Sequence, residues 1–112
     1  AATLGPEVDK IIQRNSKVNP AKAIILQAAA AMFIEEYCDL LQNHLLLQEK
    51  SENNILNPRF SPGYGDINLN VQKIFFELLQ CSKNLALTLN DSLIMSPEKS
   101  VTAFIGIKKE NN

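Results

Sequence analysis

The longest regular pattern in the chain is a series of apolar residues spaced three and four positions apart. The series consists of Ile24, Ala28, Ala31, Ile34, Cys38, Leu41 and Leu45. This spacing predicts an α-helix with one apolar side, and Asn19 followed by Pro20 supplies a cap and a proline at the first helical position. We therefore predict one helix from Pro20 to about Gln48, roughly 43 Å long, with its middle buried.

Shorter helices are predicted before and after the long one. Residues 5–7 (GPE) place proline at a first helical position and an acid in the first turn, which predicts a helix from Pro6 to about Ser16. A second stripe has the spacing i, i+3, i+4, i+7 and i+8, followed by one more leucine. Its members are Val71, Ile74, Phe75, Leu78, Leu79 and Leu85. It predicts a helix of about 12 residues starting near Asn68 or Asn70.

The pattern changes toward the end of the chain. Residues 93–95 and 101–107 are apolar runs typical of strands, and residues 96–99 (SPEK), which separate them, have a turn composition. We predict that the two runs form a β-hairpin. Residues 51–58, in contrast, are polar and rich in asparagine and end in proline, so we expect an exposed connection there.

Together these elements predict an α+β fold. A long helix and shorter helices would pack on a small antiparallel sheet, because strands do not alternate with helices as they do in parallel α/β proteins. We expect one domain over residues 1–112. The chain starts at Ala1 without methionine, and residues 1–4 (AATL) are typical of the end of a strand, so this domain is expected to be partial.

Composition and charge restrict the partners. The 112 residues carry 11 basic and 12 acidic side chains, a formal net charge of -1, so no bulk attraction to nucleic acid or to an anionic membrane is expected. The longest apolar stretch, residues 21–34, is shorter than the roughly 20 residues that span a bilayer. Cys38 and Cys81 lack metal-ligand spacing, and we expect buried thiols in a reducing compartment, the cytoplasm.

Residues 59–66 (RFSPGYGD) are the segment with the composition of a ligand site. The guanidinium of Arg59 is a planar fork that matches a carboxylate, the glycines allow close backbone approach, and Tyr64 offers a flat amphipathic ring. On composition alone the alternative is an ordinary surface turn. Glu35 and Glu36 on the long helix could receive a ligand ammonium, or could simply be solvated.

The sequence lacks the residues that several classes of catalytic or cofactor site require. His44 is the single histidine and has no nucleophile motif around it, and the cysteines and this histidine do not form a zinc set. Residues 63–65 (GYG) open like a dinucleotide fingerprint, but Asn68 stands in place of the third glycine and no strand precedes them, which excludes a Rossmann site.

Residues 59–66, followed by Val71 and Gln72 and later by residues 89–102 (LNDSLIMSPEKSVT), resemble the activation domain of cobalamin-dependent methionine synthase. That family carries an Arg-x-x-Pro-Gly-Tyr loop, then a helix, then a Leu-Thr-(Glu/Asp)-Ser segment and a Pro-x-x-Ser-Val-Ser stretch entering a strand. The resemblance is strong over residues 58–107 and loose over the long helix.

The resemblance implies a module that binds S-adenosylmethionine and presents it to cobalamin held by the methionine synthase core, so that cob(II)alamin is reductively methylated with an electron from flavodoxin or another reductant. It implies that Arg59 binds the methionine carboxylate, that the backbone at Ser61, Pro62 and Gly63 lines the site, and that Tyr64 faces the corrin. Cobalamin would come from the partner, since the chain has no Asp-x-His-x-x-Gly motif.

The resemblance also contains a departure. Met32 stands where the full-length enzymes tend to carry the acid that pairs with the ligand ammonium, and Glu36 is the nearest substitute. An alternative function is therefore a corrinoid-protein docking module that no longer binds S-adenosylmethionine. An autonomous methyltransferase would need a general base, and no motif in the chain supplies one.

Overall fold

A computed structural model describes residues 1–110. The helices are α1 (Pro6–Val18), α2 (Pro20–Lys50), α3 (Val71–Leu79) and α4 (Cys81–Leu85). The strands are β1 (Ala2–Thr3), β2 (Asn54–Phe60), β3 (Thr88–Leu89), β4 (Met95–Ser96), β5 (Ser100–Val101) and β6 (Phe104–Lys109). Helices combined with small antiparallel sheets make an α+β structure, as predicted.

The first two helices confirm the sequence prediction closely. In α2 the side chain of Asn19 accepts a hydrogen bond from the Lys22 amide at 3.3 Å, and Pro20 follows at the start of the helix. The buried residues of α2 are Ala23, Ala30, Ile34 and Cys38, so the middle of the helix is buried along one side only.

The third predicted helix is divided into two pieces. Gln80 adopts a left-handed conformation with φ 49° and ends α3, and α4 then carries Leu85. The nine residues of α3 are fewer than the predicted twelve or so, because a left-handed residue cannot continue a right-handed helix.

The connection predicted for residues 51–58 is wrong from Asn54 onward. β2 pairs in antiparallel fashion with β6, and the register shifts between Leu56 and Arg59. Pro58, which has no N–H to give to a ladder, lies within this irregular stretch. The Asn54 side chain is buried and donates to Glu49 Oε2 at 2.6 Å, so a polar residue starts this strand because it has a partner on α2.

The predicted hairpin between residues 93–95 and 101–107 is also wrong. Both runs contain strands, but β4 pairs with β3, β5 pairs with β1, and β6 pairs with β2. The turn at residues 96–99 does not fold the strands together, because the Ser100 side chain bonds both to Pro97 O and to Thr3 Oγ1 at 2.7 Å, which ties β5 to the start of the chain.

The core is small and the molecule is long. Ala2, Ile34 and Cys38 form one buried cluster against which Leu4 and Val101 pack. Both cysteines are buried and free, as the sequence predicts. The extents are 58 × 27 × 27 Å and the radius of gyration is 16.3 Å, against about 13 Å for a compact domain of this length.

Candidate functional site

The predicted ligand loop, residues 59–66, begins within β2, which ends at Phe60, and from Ser61 onward it is closed by its own backbone. Gly63 N–H donates to Ile67 O at 2.9 Å, and Ile67 N–H donates to Tyr64 O at 3.2 Å. Gly63 has φ 90° and Gly65 has φ 59°. The positive φ favours glycine at position 63, and a β-carbon there would lie 3.2 Å from Leu69 Cδ1, so the Leu69 side chain would also have to shift slightly.

Arg59 is the last but one residue of β2 and points at one side of α2. Its Nη1 donates to Asp39 Oδ1 at 2.9 Å and to Gln42 Oε1 at 2.8 Å, and its Nη2 donates to Glu35 Oε2 at 3.0 Å. The Arg59 side chain is 19% exposed, whereas both carboxylates are largely exposed. Three acceptors one helical turn apart thus hold one guanidinium between β2 and α2.

The electrostatics of this cluster favour the charged guanidinium. Burial alone lowers the pKa of Arg59, but the hydrogen bonds to Asp39 and Glu35 outweigh it and raise the pKa above its ordinary value. Two carboxylates against one guanidinium leave a net charge of about -1 if all are ionised. Glu35, Asp39 and Gln42 take three of the five N–H groups of the guanidinium, so an incoming ligand carboxylate meets a fork that is already partly occupied.

A groove of about 290 Å³ runs between the loop and the later part of the chain. Its walls come from α2, the loop, α3 and the stretch from residue 93 to 102. The lining residues are Glu35, Ser61, Pro62, Tyr64, Gln72, Leu93, Ile94, Met95, Glu98, Ser100, Val101 and Thr102. The two sequence segments that carry the resemblance therefore lie on the two sides of one groove.

A second hollow of about 420 Å³ adjoins the groove and contains the Arg59 cluster. Glu35, Ser61, Tyr64 and Val101 line both spaces. Glu35 therefore has one carboxylate oxygen on Arg59 while its side chain also faces the groove. This shared wall is where a ligand would meet both the acidic cluster and the loop.

The floor of the groove is held by a buried polar pair. Thr102 Oγ1 donates a hydrogen bond to Gln72 Oε1, and both side chains are buried. Because an amide or a hydroxyl is costly to bury alone, this bond fixes α3 to the strand region behind the groove.

The residues predicted for the site separate into two groups. Ser61, Pro62 and Tyr64 line the groove, with Pro62 buried and Tyr64 74% exposed at the rim, and Arg59 lines the adjoining hollow. Gly63 shapes the loop between them. Glu36 is exposed and lines neither space. The acid that meets the loop is Glu35.

Sequence reasoning did not identify Asp39 and Gln42 as part of this cluster, nor Gln72 and Thr102 as its floor. A signal for the first pair was present. Glu35, Asp39 and Gln42 have the spacing i, i+4 and i+7, which places all three acceptors on one side of a helix. The Gln72–Thr102 pair joins positions 30 residues apart and has no local signature.

A larger hollow, of about 590 Å³, lies between α1 and the stretch from residue 88 to 98. The Glu98 amide donates to Asp9 Oδ2 at 2.8 Å and links its two sides. Ile94, Met95 and Glu98 line this hollow and the groove alike, so the same segment separates the two spaces.

Over residues 1–110, no three His, Cys, Asp or Glu side chains are grouped so that they could hold a metal ion. In the same range, no helix combines the length and the apolar character needed to cross a membrane.

Compared with known proteins, the chain matches no family model and no curated sequence. The groove itself and the motifs that line it are therefore the features that bear on function.

Proposed function

We propose that the chain is an activation module that binds S-adenosylmethionine in the groove and presents it to cobalamin carried by a methionine synthase core. The module would act in the cytoplasm, with flavodoxin or another reductant as electron donor. One observation carries the proposal: residues 59–66 and 89–102, which resemble two separate motifs of one family, line the same groove.

The size and charge of the site support this ligand. The groove and the adjoining hollow, of about 290 and 420 Å³, are within the range of roughly 300–1,000 Å³ typical of small-molecule sites when taken together. S-adenosylmethionine carries an ammonium and a sulfonium, and the excess of carboxylates around Arg59 favours a cationic ligand. Glu35 is the residue placed to receive one of these cations.

When bound, S-adenosylmethionine supplies an electrophilic methyl group, and the chemistry belongs to the cofactors. The residues of this chain would bind and orient. Ser61 and Pro62 form the wall of the groove, and Gly63 keeps the loop in a conformation that other residues rarely adopt. Tyr64 offers an exposed aromatic ring at the rim, which suits contact with a flat macrocycle.

In this proposal Arg59 binds the carboxylate of S-adenosylmethionine. A ligand carboxylate would take over one of its Nη groups, and the displaced Glu35 would then turn to the ligand ammonium. Such an exchange replaces one charge-assisted hydrogen bond by another and therefore costs little. It requires both the fork of Arg59 and the carboxylate of Glu35.

Calorimetric titration with S-adenosylmethionine tests the proposal. We expect binding by the wild type, binding about 10- to 150-fold weaker in Arg59→Ala, and a smaller loss of up to about fivefold in Glu35→Gln, whose side chain is exposed. Glu36→Gln is the matched control on the next residue of α2 and should bind like the wild type. Absence of heat with the wild type contradicts S-adenosylmethionine binding, and equal losses in the two glutamate variants contradict the role of Glu35.

The second candidate is a corrinoid-protein docking module without S-adenosylmethionine. It is favoured by the Arg59 fork, which already has three acceptors from α2, and by Met32 at the position of the family's acid.

Binding to a cobalamin-loaded methionine synthase core, measured by interferometry, tests this second candidate. Tyr64→Ala should weaken the complex at least about tenfold, whereas Leu78→Ala, with the same 74% exposure on α3, should not. Failure of the wild type to bind the core contradicts both candidates.

A further inference from the structure

A second apolar stripe runs along α2 on the side away from Arg59. Leu26, Phe33, Leu40 and Leu47 follow one another at intervals of seven residues, and we call these four residues the outer stripe. Leu26 is partly buried, while Phe33, Leu40 and Leu47 are 67%, 66% and 70% exposed. Helices that pack along one another repeat apolar side chains at two positions of every seven, and the outer stripe supplies one of these positions.

The exposed part of the outer stripe, residues 33, 40 and 47, lies off the side of α2 that carries the acceptors of Arg59, whereas Leu26 is partly covered by the chain. At 3.6 residues per turn, Phe33 and Leu40 lie roughly 100–180° around the helix axis from Glu35, Asp39 and Gln42. Those three residues face β2 and Arg59. Packing on the outer stripe would therefore leave the groove open, and it does not depend on the function proposed above.

The chain exposes more surface than a compact monomer of the same mass. Its accessible surface is 8084 Å², whereas a compact monomer of 12.5 kDa exposes about 6,200 Å², an excess of roughly 1,900 Å². Obligate homodimers bury about 1,000–2,500 Å² per subunit in apolar interfaces. The excess, which belongs to the whole elongated molecule, lies within that range, so the chain has enough uncovered surface for such an interface.

The arrangement of the outer stripe also fits a two-fold axis. If two copies of α2 run antiparallel with the axis level with the Glu36–Tyr37 peptide, Phe33 lies opposite Leu40 of the second copy. In the same register Leu26 lies opposite Leu47 of the second copy. All four residues then meet apolar partners, as an isologous interface requires. A second copy of the chain is therefore a partner that the spacing of the stripe accommodates without leaving any of its four residues unpaired.

We propose that the chain forms a symmetric dimer through antiparallel packing of the outer stripes of two α2 helices. The interface resembles a short antiparallel coiled coil, with the helix axes about 8–10 Å apart. Each copy keeps its own groove, and the two grooves open on opposite sides of the helix pair.

Sedimentation equilibrium of the 112-residue chain tests the association. We expect a dimer from low micromolar concentration upward, and Phe33→Glu with Leu40→Glu should raise the dissociation constant more than about 100-fold, since each charge would be buried against a leucine or phenylalanine of the second copy. Ile25→Glu is the matched control, because Ile25 has 68% exposure on α2 but lies off the outer stripe. Circular dichroism shows whether each variant keeps its helices.

A monomeric wild type at all concentrations up to millimolar would overturn the proposal and leave the outer stripe to a different polypeptide. A dimer that survives the double substitution would overturn it as well, because another surface must then hold the copies together.

Disulfide trapping tests the register. Near the two-fold axis the two copies of residue 37 are separated by roughly 1.5 Å along the helix, whereas the two copies of residue 47 are roughly 32 Å apart. Tyr37→Cys should therefore give a cross-linked dimer with a mild oxidant such as diamide, and Leu47→Cys should not. Cross-linking of both variants would indicate parallel helices and overturn the antiparallel arrangement. The wild type, with Cys38 and Cys81 buried, is the control.

Discussion

The two sides of α2 differ in what covers them. On one side, Ile34 and Cys38 pack on Ala2, and Glu35, Asp39 and Gln42 hold Arg59 of β2. On the other side, the outer stripe presents Phe33, Leu40 and Leu47 to solvent. Both sides are rich in apolar residues, so hydrophobicity alone does not distinguish them.

This contrast shows how the apolar pattern of a helix should be interpreted. A helix that is apolar around much of its circumference is typical of a buried element. In α2 the chain buries one side only, with four buried residues out of 31. The rest of the pattern specifies contacts beyond the chain's own core, whereas the polar residues next to the buried side specify where β2 and its arginine lie.

Substitutions on the two sides of α2 should differ most in how far they lower the free energy of unfolding. Ile34→Ala should lower the free energy of unfolding by about 2–5 kcal/mol, because it opens a cavity in the buried cluster, and this loss should not vary with protein concentration. Phe33→Ala should cost a dissociated monomer no more than about 0.5 kcal/mol, while its effect on the melting temperature should grow with protein concentration.

Urea denaturation and thermal scans at several concentrations measure both variants. Equal losses that do not depend on concentration would show that Phe33 is stabilised within its own chain, and the contrast between the two sides would then be wrong.

A smaller effect is expected at the Arg59 cluster. Arg59→Met should lower the free energy of unfolding by about 1–2 kcal/mol, since it removes hydrogen bonds to two carboxylates whose exposure reduces their individual value. Lys10→Met is the matched control, because Lys10 forms an exposed ion pair with Glu7 at 3.3 Å, and its loss should stay below about 0.5 kcal/mol. A change in Arg59→Met no larger than in the control would mean that the cluster does not hold β2 on α2.

Much of the helical structure could be predicted because its signals are local. Proline at the first position and the cap at Asn19 lie within a few residues of the helix starts that they specify. The pairing of strands could not be predicted in the same way. β1 and β5 bring Ala2 beside Val101, so the partner of each short strand depends on the path of almost the whole chain.

In the candidate site, too, the features with local signals could be predicted and those set by long-range contacts could not. The loop at residues 59–66 was recognisable by composition, because a fork, glycines and an aromatic ring occur together. The choice between Glu35 and Glu36 depended on how α2 is rotated, and adjacent residues of a helix differ by about 100°. That rotation is set by the contact of Ile34 and Cys38 with Ala2, on β1, which the apolar series of α2 alone does not reveal.

A still smaller effect is expected from the ionisation of Cys38, which lies on the buried side of α2 and near the charge of Arg59. Burial raises the pKa of the Cys38 thiol, and the nearby charge of Arg59 partly opposes this rise. Below the ordinary thiol pKa of about 8.5, both the folded and the unfolded chain keep the proton. As the pH rises above that value, the unfolded chain loses the proton first, so the free energy of unfolding should fall until the folded thiol also ionises.

Urea titrations from pH 7 to about pH 10 measure this slope, and Cys38→Ala should make it shallower even though its stability at pH 7 is lower. Burial also raises the pKa of Cys81. Because Cys81 is present in both the wild type and Cys38→Ala, its contribution cancels when the two slopes are compared. Arg59→Met should have the opposite effect to Cys38→Ala. Without the guanidinium the Cys38 pKa rises further, and the decline in stability extends to higher pH. If the slope in Arg59→Met equals that of the wild type, the charge of Arg59 does not reach the thiol, and the two features on this side of α2 act independently.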